Sequence, residues 1–243
     1  MMKIERLDIQ GVGNSIPSVI ISPPAPLGAA VIAHGYGGCK EELLGLAWRV
    51  AESGLAACTI DLRGHGQHSL PLDGDFLVDV EAAIRYCRRY GKVVAIGHSL
   101  GGRLALISSA DHAIGISPPL DPHYCAKTQE LLQKVRSYRV RPEDSNAVFD
   151  ILKKLPSCRD DGTDRALIIY GSRDVPEIVA SCNELRSSGA NVLMIEEARH
   201  GDTYQLESTF KAIAEQLACW FDDHHGVGAI AGSSVDDLPS DQD

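Results

Sequence analysis

Gly97-His98-Ser99-Leu100-Gly101 sets a serine between two glycines, where the apolar run Val93-Val94-Ala95-Ile96 gives way to the helical pattern Gly102-Arg103-Leu104-Ala105-Leu106. A serine on so tight a strand-to-helix turn is presented to solvent, and the flanking glycines let neighbouring backbone pass closely. The helix start behind it offers unpaired N–H groups and the positive end of a dipole, both suited to a developing oxyanion. A serine hydroxyl becomes a nucleophile only when a base takes its proton and a third group orients that base. Among nine histidines, His200 is the candidate base, because Ala198-Arg199-His200-Gly201-Asp202 follows the last predicted strand and precedes the last helical pattern. His98 adjoins the serine, but strand alternation points it away, and it reads as structural. The candidate acid is Asp174, in Tyr170-Gly171-Ser172-Arg173-Asp174 after the penultimate predicted strand, which gives the chain order Ser99, Asp174, His200. Asp121, in Pro118-Pro119-Leu120-Asp121 after the sixth strand, is its rival.

These side chains converge only if their segments end at one edge of one sheet. Apolar, β-rich runs over residues 3–10, 17–22, 29–34, 56–61, 93–97, 113–117, 167–170 and 192–195 read as eight strands. Helical patterns cover 41–52, 75–90, 101–110, 177–188 and 204–222. After an opening hairpin, this alternation needs crossover helices and predicts an α/β fold: a mostly parallel sheet with helices on both faces. The interval 118–164 breaks the rhythm with two helical patterns, 124–140 and 143–155, and no strand. It is expected to form a small helical cap over the carboxyl edge of the sheet, where open α/β sheets bind ligands. The domain division is then a core of residues 1–117 and 165–221, a cap of 118–164, and a tail of 222–243. The tail has six Asp and no Lys or Arg, and is expected to be disordered.

Composition narrows the function. Hydrophobic residues are 44% of the 243 and charged residues 23%, so the chain can bury a core. A formal charge of −10, of which the tail supplies −6, argues against nucleic acid or an anionic membrane surface as partner. No apolar run approaches the ~18–20 residues of a membrane span, and the N-terminus bears charges where a signal peptide is apolar. Seven cysteines, none in Cys-x-x-Cys spacing, predict reduced thiols and a cytoplasmic protein rather than a disulfide framework or zinc site. The run Gly35-Tyr36-Gly37-Gly38 lacks the endings that make a phosphate-binding loop. Residues 118–159 carry eight Lys or Arg (127, 134, 136, 139, 141, 153, 154, 159) against five acids. That excess either steers an anionic substrate or coats solvent-facing helix sides. With only 4 Phe, 7 Tyr and 2 Trp, a modest aliphatic acyl pocket is expected.

The order of the three residues, the strand placement and the elbow resemble the α/β-hydrolase superfamily over residues 3–221. Two further segments match it. Ala33-His34-Gly35-Tyr36-Gly37-Gly38 resembles the oxyanion loop after the third strand, and Asp61-Leu62-Arg63-Gly64-His65-Gly66 resembles the loop after the fourth. The carboxylesterase, monoglyceride lipase and dienelactone hydrolase-like branches are the most similar. The resemblance implies oxyanion donors at the backbone N–H groups of Tyr36 and Leu100, and makes Asp61 a brace for the oxyanion loop. It also implies a cofactor-free, metal-free serine hydrolase acting on a small ester or acyl substrate through an acyl-enzyme. The same constellation serves thioesters and peptides, and a non-catalytic binding module on this fold is the competing class.

Overall fold

The computed structural model describes residues 1–136, 139–141, 147–158 and 164–221. The expected tail, 222–243, lies outside the described residues, as do parts of the 118–164 interval. Eight strands form one sheet: β1 (Lys3–Gln10), β2 (Ser15–Ser22), β3 (Gly28–Ala33), β4 (Leu55–Ile60), β5 (Val93–His98), β6 (His112–Ile116), β7 (Ala166–Arg173) and β8 (Val192–Arg199). Their spatial order is β1-β2-β4-β3-β5-β6-β7-β8. β2 pairs antiparallel with β1 and β4, and all other neighbours are parallel.

Sequence explains this order of burial. β3, β4 and β5 are wholly buried and apolar but for Thr59 and His98, as strands covered on both faces must be. β1, at the edge, alternates charged and apolar residues and is largely exposed. On one face, Val31, Ala33 and Ala95 pack with α2 (Phe76–Cys87) and α3 (Leu100–Ile107). On the other, Ala30, Ile32 and Ile96 pack with α1 (Leu44–Glu52) and α7 (Glu207–Phe221). α7 shows why: Thr209, Ile213, Leu217 and Phe221, spaced by four, form its buried stripe. Between β6 and β7 lie α4 (Ala126–Arg136) and α5 (Ala147–Lys154), and α6 (Pro176–Ser187) separates β7 from β8. No helix among the described residues is long and apolar enough to cross a membrane.

Three of the helical patterns include a 3₁₀ turn. The 41–52 pattern opens as a 3₁₀ turn, Lys40–Leu43; the 75–90 pattern closes as one, Arg88–Tyr90; and the 204–222 pattern opens as one, Thr203–Gln205. β7 and β8 run longer than their apolar cores. Past Tyr170 and Ile195 the residues turn polar, but the ladder continues through a register shift to Arg173 opposite Arg199. Gly171 permits this, since a Cβ there would sit 2.2 Å from the carbonyl oxygen of Ala198. Glu197 absorbs the irregularity at φ 59° and donates its N–H to Ser172 Oγ at 2.8 Å. The extension matters because Asp174 and His200 are the next residues of the two strands.

Candidate active site

Ser99 follows β5 and stands at the N-cap position of α3 with φ 52° and ψ −119°, a backbone that L-residues adopt only under constraint. The constraint is visible on both sides. Ser99 donates its N–H to the carbonyl of Ile116 at 2.8 Å, and its own carbonyl accepts from Arg103 N–H at 3.0 Å. The two glycines are sterically required. A Cβ on Gly97 would lie 2.1 Å from the Gly101 carbonyl carbon, and one on Gly101 would lie 2.1 Å from the Ala33 carbonyl oxygen. Helix α3 therefore starts pressed against β3 and β5, with Ser99 at the sheet's carboxyl edge.

His200 Nε2 lies 3.1 Å from Ser99 Oγ, and His200 Nδ1 lies 2.7 Å from Asp174 Oδ1. The carboxylate can only accept, so Nδ1 carries the proton and Nε2 is free to accept from the serine hydroxyl. Asp174 is fully buried at its side chain and takes three donors: His200, the Val175 N–H at 2.7 Å and Ser117 Oγ at 2.5 Å. Burial pushes its carboxyl up, but His200, Ser117 and the Val175 amide together outweigh that and hold it below the usual carboxylate range. Asp121 is placed elsewhere: its carboxylate is half exposed and bonds His123 at 2.8 Å. Ser117 was not singled out from sequence. It follows β6 at φ 51°, and an isolated serine after an apolar strand carries no signal of its partner.

The loop after β3 abuts the serine: a Cβ on Gly35 would sit 3.1 Å from Ser99 Cβ. Tyr36 follows, and Leu100 is the first residue of α3, whose N–H the helix leaves unused. His34 ties this loop to the next, donating from Nδ1 to the Gly35 carbonyl at 2.8 Å and accepting the Leu62 N–H at Nε2, 3.1 Å away. Asp61 is buried beneath and accepts from the Lys40 ammonium at 2.6 Å, the Lys40 N–H at 2.8 Å and the Gln67 N–H at 2.8 Å. Gly66 at φ 49° lets the chain close over that carboxylate. Arg63 chelates Asp79 and Asp73, and the His65 ring packs on His34 and Tyr36. Asp61 thus lies far into a structural network rather than against His200. His98, which sequence alternation turned away from the site, donates Nε2–H to the His200 carbonyl at 2.7 Å. Its ring packs on His200 and Tyr204, so its contribution is structural and acts on the loop that carries His200.

Ser99, His200, Gly35, Tyr36 and Leu100 open into a cavity of about 290 Å³. Side chains of α4 and α5, together with Val175 and Ile178, form most of its apolar wall. Arg103, one turn past the serine, anchors both ends of the segment bearing α4 and α5. Its guanidinium donates to the carbonyls of Leu120 at 2.8 Å and Pro156 at 2.6 Å. Only Arg136 among the described basic residues of that segment lines the cavity. Arg139 pairs with Glu42, Arg141 bonds the Gly66 and His68 carbonyls, and Lys127, Lys134 and Lys154 are exposed.

Residues 30–177 match the model of the alpha/beta hydrolase family. The chain belongs to that family. No curated protein matches it by sequence. Among solved structures it is similar to the Pyrococcus furiosus esterase Pf2001, at TM-score 0.66 and 18% identity, covering 90% of this chain and 94% of that one. It is equally similar to Est1E from Butyrivibrio proteoclasticus with ferulic acid bound, at TM-score 0.66 and 16% identity over 91% and 100% of the two chains. The thioesterase domain from the curacin biosynthetic pathway aligns at TM-score 0.61 and 17% identity over 88% and 99%. At these identities the likeness is one of fold. Within this hydrolase family an eight-stranded, mostly parallel sheet is the shared frame on which the site is mounted.

Proposed function

We propose that this protein is a serine hydrolase that cleaves carboxylic esters through Ser99, His200 and Asp174. The observation that carries the reading is a single imidazole spanning 3.1 Å to a strained serine and 2.7 Å to a buried carboxylate. Ser99 attacks the acyl carbon while His200 Nε2 takes the hydroxyl proton. Asp174 keeps the imidazole in its Nδ1–H form and stabilises its cation. The backbone N–H groups of Tyr36 and Leu100 receive the oxyanion. His200 then protonates the leaving alcohol, and later takes a proton from the water that releases the acyl group from Ser99. Residues 118–164, bearing α4 and α5, act as a cap that shapes the acyl site and excludes water rather than supplying reacting groups. The core is then 1–117 with 165–221. The same reacting groups serve thioester and amide bonds, and an apolar cavity wall favours acyl over peptide recognition.

A fluorophosphonate probe tests the assignment, with turnover of short-chain 4-nitrophenyl esters as a second readout. The expected result is one covalent label, on Ser99, lost in Ser99→Ala together with at least ~10⁴-fold of kcat. A folded wild-type protein that neither labels nor hydrolyses would make it a binding module.

A further inference from the structure

The cavity around Ser99 is divided in character. Tyr124, Leu132, Val148, Phe149 and Leu152 wall one side, and all of them pack into the core under α2 and α3. Leu43 and Tyr204, from the core of the α1–α7 face, wall the opposite side, and Glu42, Gly201 and Arg136 also line the cavity. Glu42 and Arg136 meet at one loop: a Cβ on Gly38 would sit 3.1 Å from Glu42 Oε2, and Gly37 abuts Arg136. Glu42 is already paired with Arg139 at 2.8 Å, and among the described residues no carboxylate pairs with Arg136. The Arg136 stem is seated against the oxyanion loop: a Cβ on Gly37 would lie 2.9 Å from its Cβ and 3.2 Å from its Cδ. Half-buried Arg136 is therefore the one Lys or Arg among the described residues that line the cavity, whose other polar side chains include His34, His98 and Thr128.

His200 must return its proton to the leaving atom. Gly201 and Tyr204, which follow it on the same loop, line the cavity together with Arg136. The apolar side then takes the acyl chain and the Arg136 side takes the leaving group. A guanidinium is permanently charged and presents paired donors that match a carboxylate or phosphate at two points. Resting on the ester hydrolase reading above, we propose that Arg136 is the anion-recognising residue of a leaving-group subsite. The substrate class is an ester of an apolar acyl chain with an alcohol that bears a carboxylate or a phosphate.

Matched butyrate esters test this: 4-butyryloxybenzoate against its methyl ester, and 1-butyrylglycerol 3-phosphate against 1-butyrylglycerol. The acyl-side control is mono(4-nitrophenyl) glutarate against 4-nitrophenyl valerate. Arg136→Gln is expected to cut kcat/KM for the anionic-alcohol esters by about tenfold or more, through KM, and to change the neutral esters by less than about threefold. Arg136→Lys should restore part of the loss. The benzoate and phosphate arms distinguish the two anions. Calorimetric binding of 4-butyryloxybenzoate to Ser99→Ala, with and without Arg136→Gln, gives a readout independent of turnover. Equal losses for neutral and anionic esters, or an effect confined to the glutarate ester, would overturn the subsite. If wild type hydrolyses no ester while the binding difference persists, the anion site stands and the hydrolase reading fails. If neither hydrolysis nor Arg136-dependent binding is seen, both fall.

Discussion

His98 donates its Nε2–H to the backbone carbonyl of His200 at 2.7 Å, so the residue beside Ser99 holds the loop that carries His200. The bond spans 102 positions of sequence and links the end of β5 to the residue after β8. With its ring also against Tyr204, His98 sets where His200 Nε2 lies relative to Ser99 Oγ. His98→Leu removes the donor and keeps the apolar packing. It is expected to lower kcat by about 10–100-fold and to slow fluorophosphonate labelling in proportion, because an ångström of misplacement at a reacting group costs on that order. Unchanged labelling of a folded variant would mean that the loop is held by other contacts.

Asp174→Asn is expected to lower kcat by about 10³–10⁴-fold, since an amide in this position stabilises the wrong imidazole tautomer and removes the balancing charge. Asp121→Asn should stay within about threefold, as among the described residues its carboxylate bonds His123 and not His200. Ser117→Ala takes away one of the three donors to Asp174 and should cost an intermediate factor. Steady-state rates of the three folded variants give the ranking, and the reverse order for Asp174 and Asp121 would move the acid.

Buried Lys40 and Asp61, paired at 2.6 Å, support a double-mutant cycle. Lys40→Met strands a carboxylate that has no exposed surface, and about 3–5 kcal/mol of stability should go. Adding Asp61→Asn should recover part of that loss, because the uncompensated charge is gone. Urea unfolding of the four proteins checks the coupling.

Two glycines predict opposite responses. Gly101→Ala drives a Cβ to 2.1 Å from the Ala33 carbonyl oxygen and should leave little folded protein. Gly45, near the start of α1, has open space around it, and Gly45→Ala should raise stability by about 0.5–1 kcal/mol. Thermal unfolding with both variants side by side makes the comparison.

Acid should weaken the fold well above the carboxylate range. Burial holds His34 down to about 4 and His65 and His98 down to about 3, against about 6.5 in the unfolded chain. Between these values the unfolded state binds protons that the folded state refuses, so stability is complete above about pH 6.5 and falls as pH drops. Each histidine contributes a slope of roughly 1.4 kcal/mol per pH unit over that window. Denaturation at pH 7, 6 and 5 should show the trend. His65→Gln should flatten it by about one histidine's share.

The elbow, the chain order Ser99–Asp174–His200 and the alternation of strands and helices were all legible in the residues. Each is a local signal: glycines flanking a serine, apolar runs of strand length, and turn residues at strand ends. The central strands were especially clear because burial on both faces leaves an unbroken apolar run. What local signals could not carry were contacts between remote segments. The polar ends of β7 and β8 read as loop, and only their pairing across Gly171 extends them to Asp174 and His200. Sequence favoured Asp174 over its rival Asp121, although each follows a strand; the fold sets the first against His200 and leaves the second with its own neighbour. Ser117 and His98 gained their roles the same way, through partners 57 and 102 residues distant. Charge behaved likewise. Eight basic residues were equivalent in the sequence of the insertion, and helix packing turned Arg136 toward the cavity while committing Arg139 and Arg141 to surface and loop contacts. A side chain's partner depends on which segments the sheet order brings together, and that order is a property of the whole chain's packing.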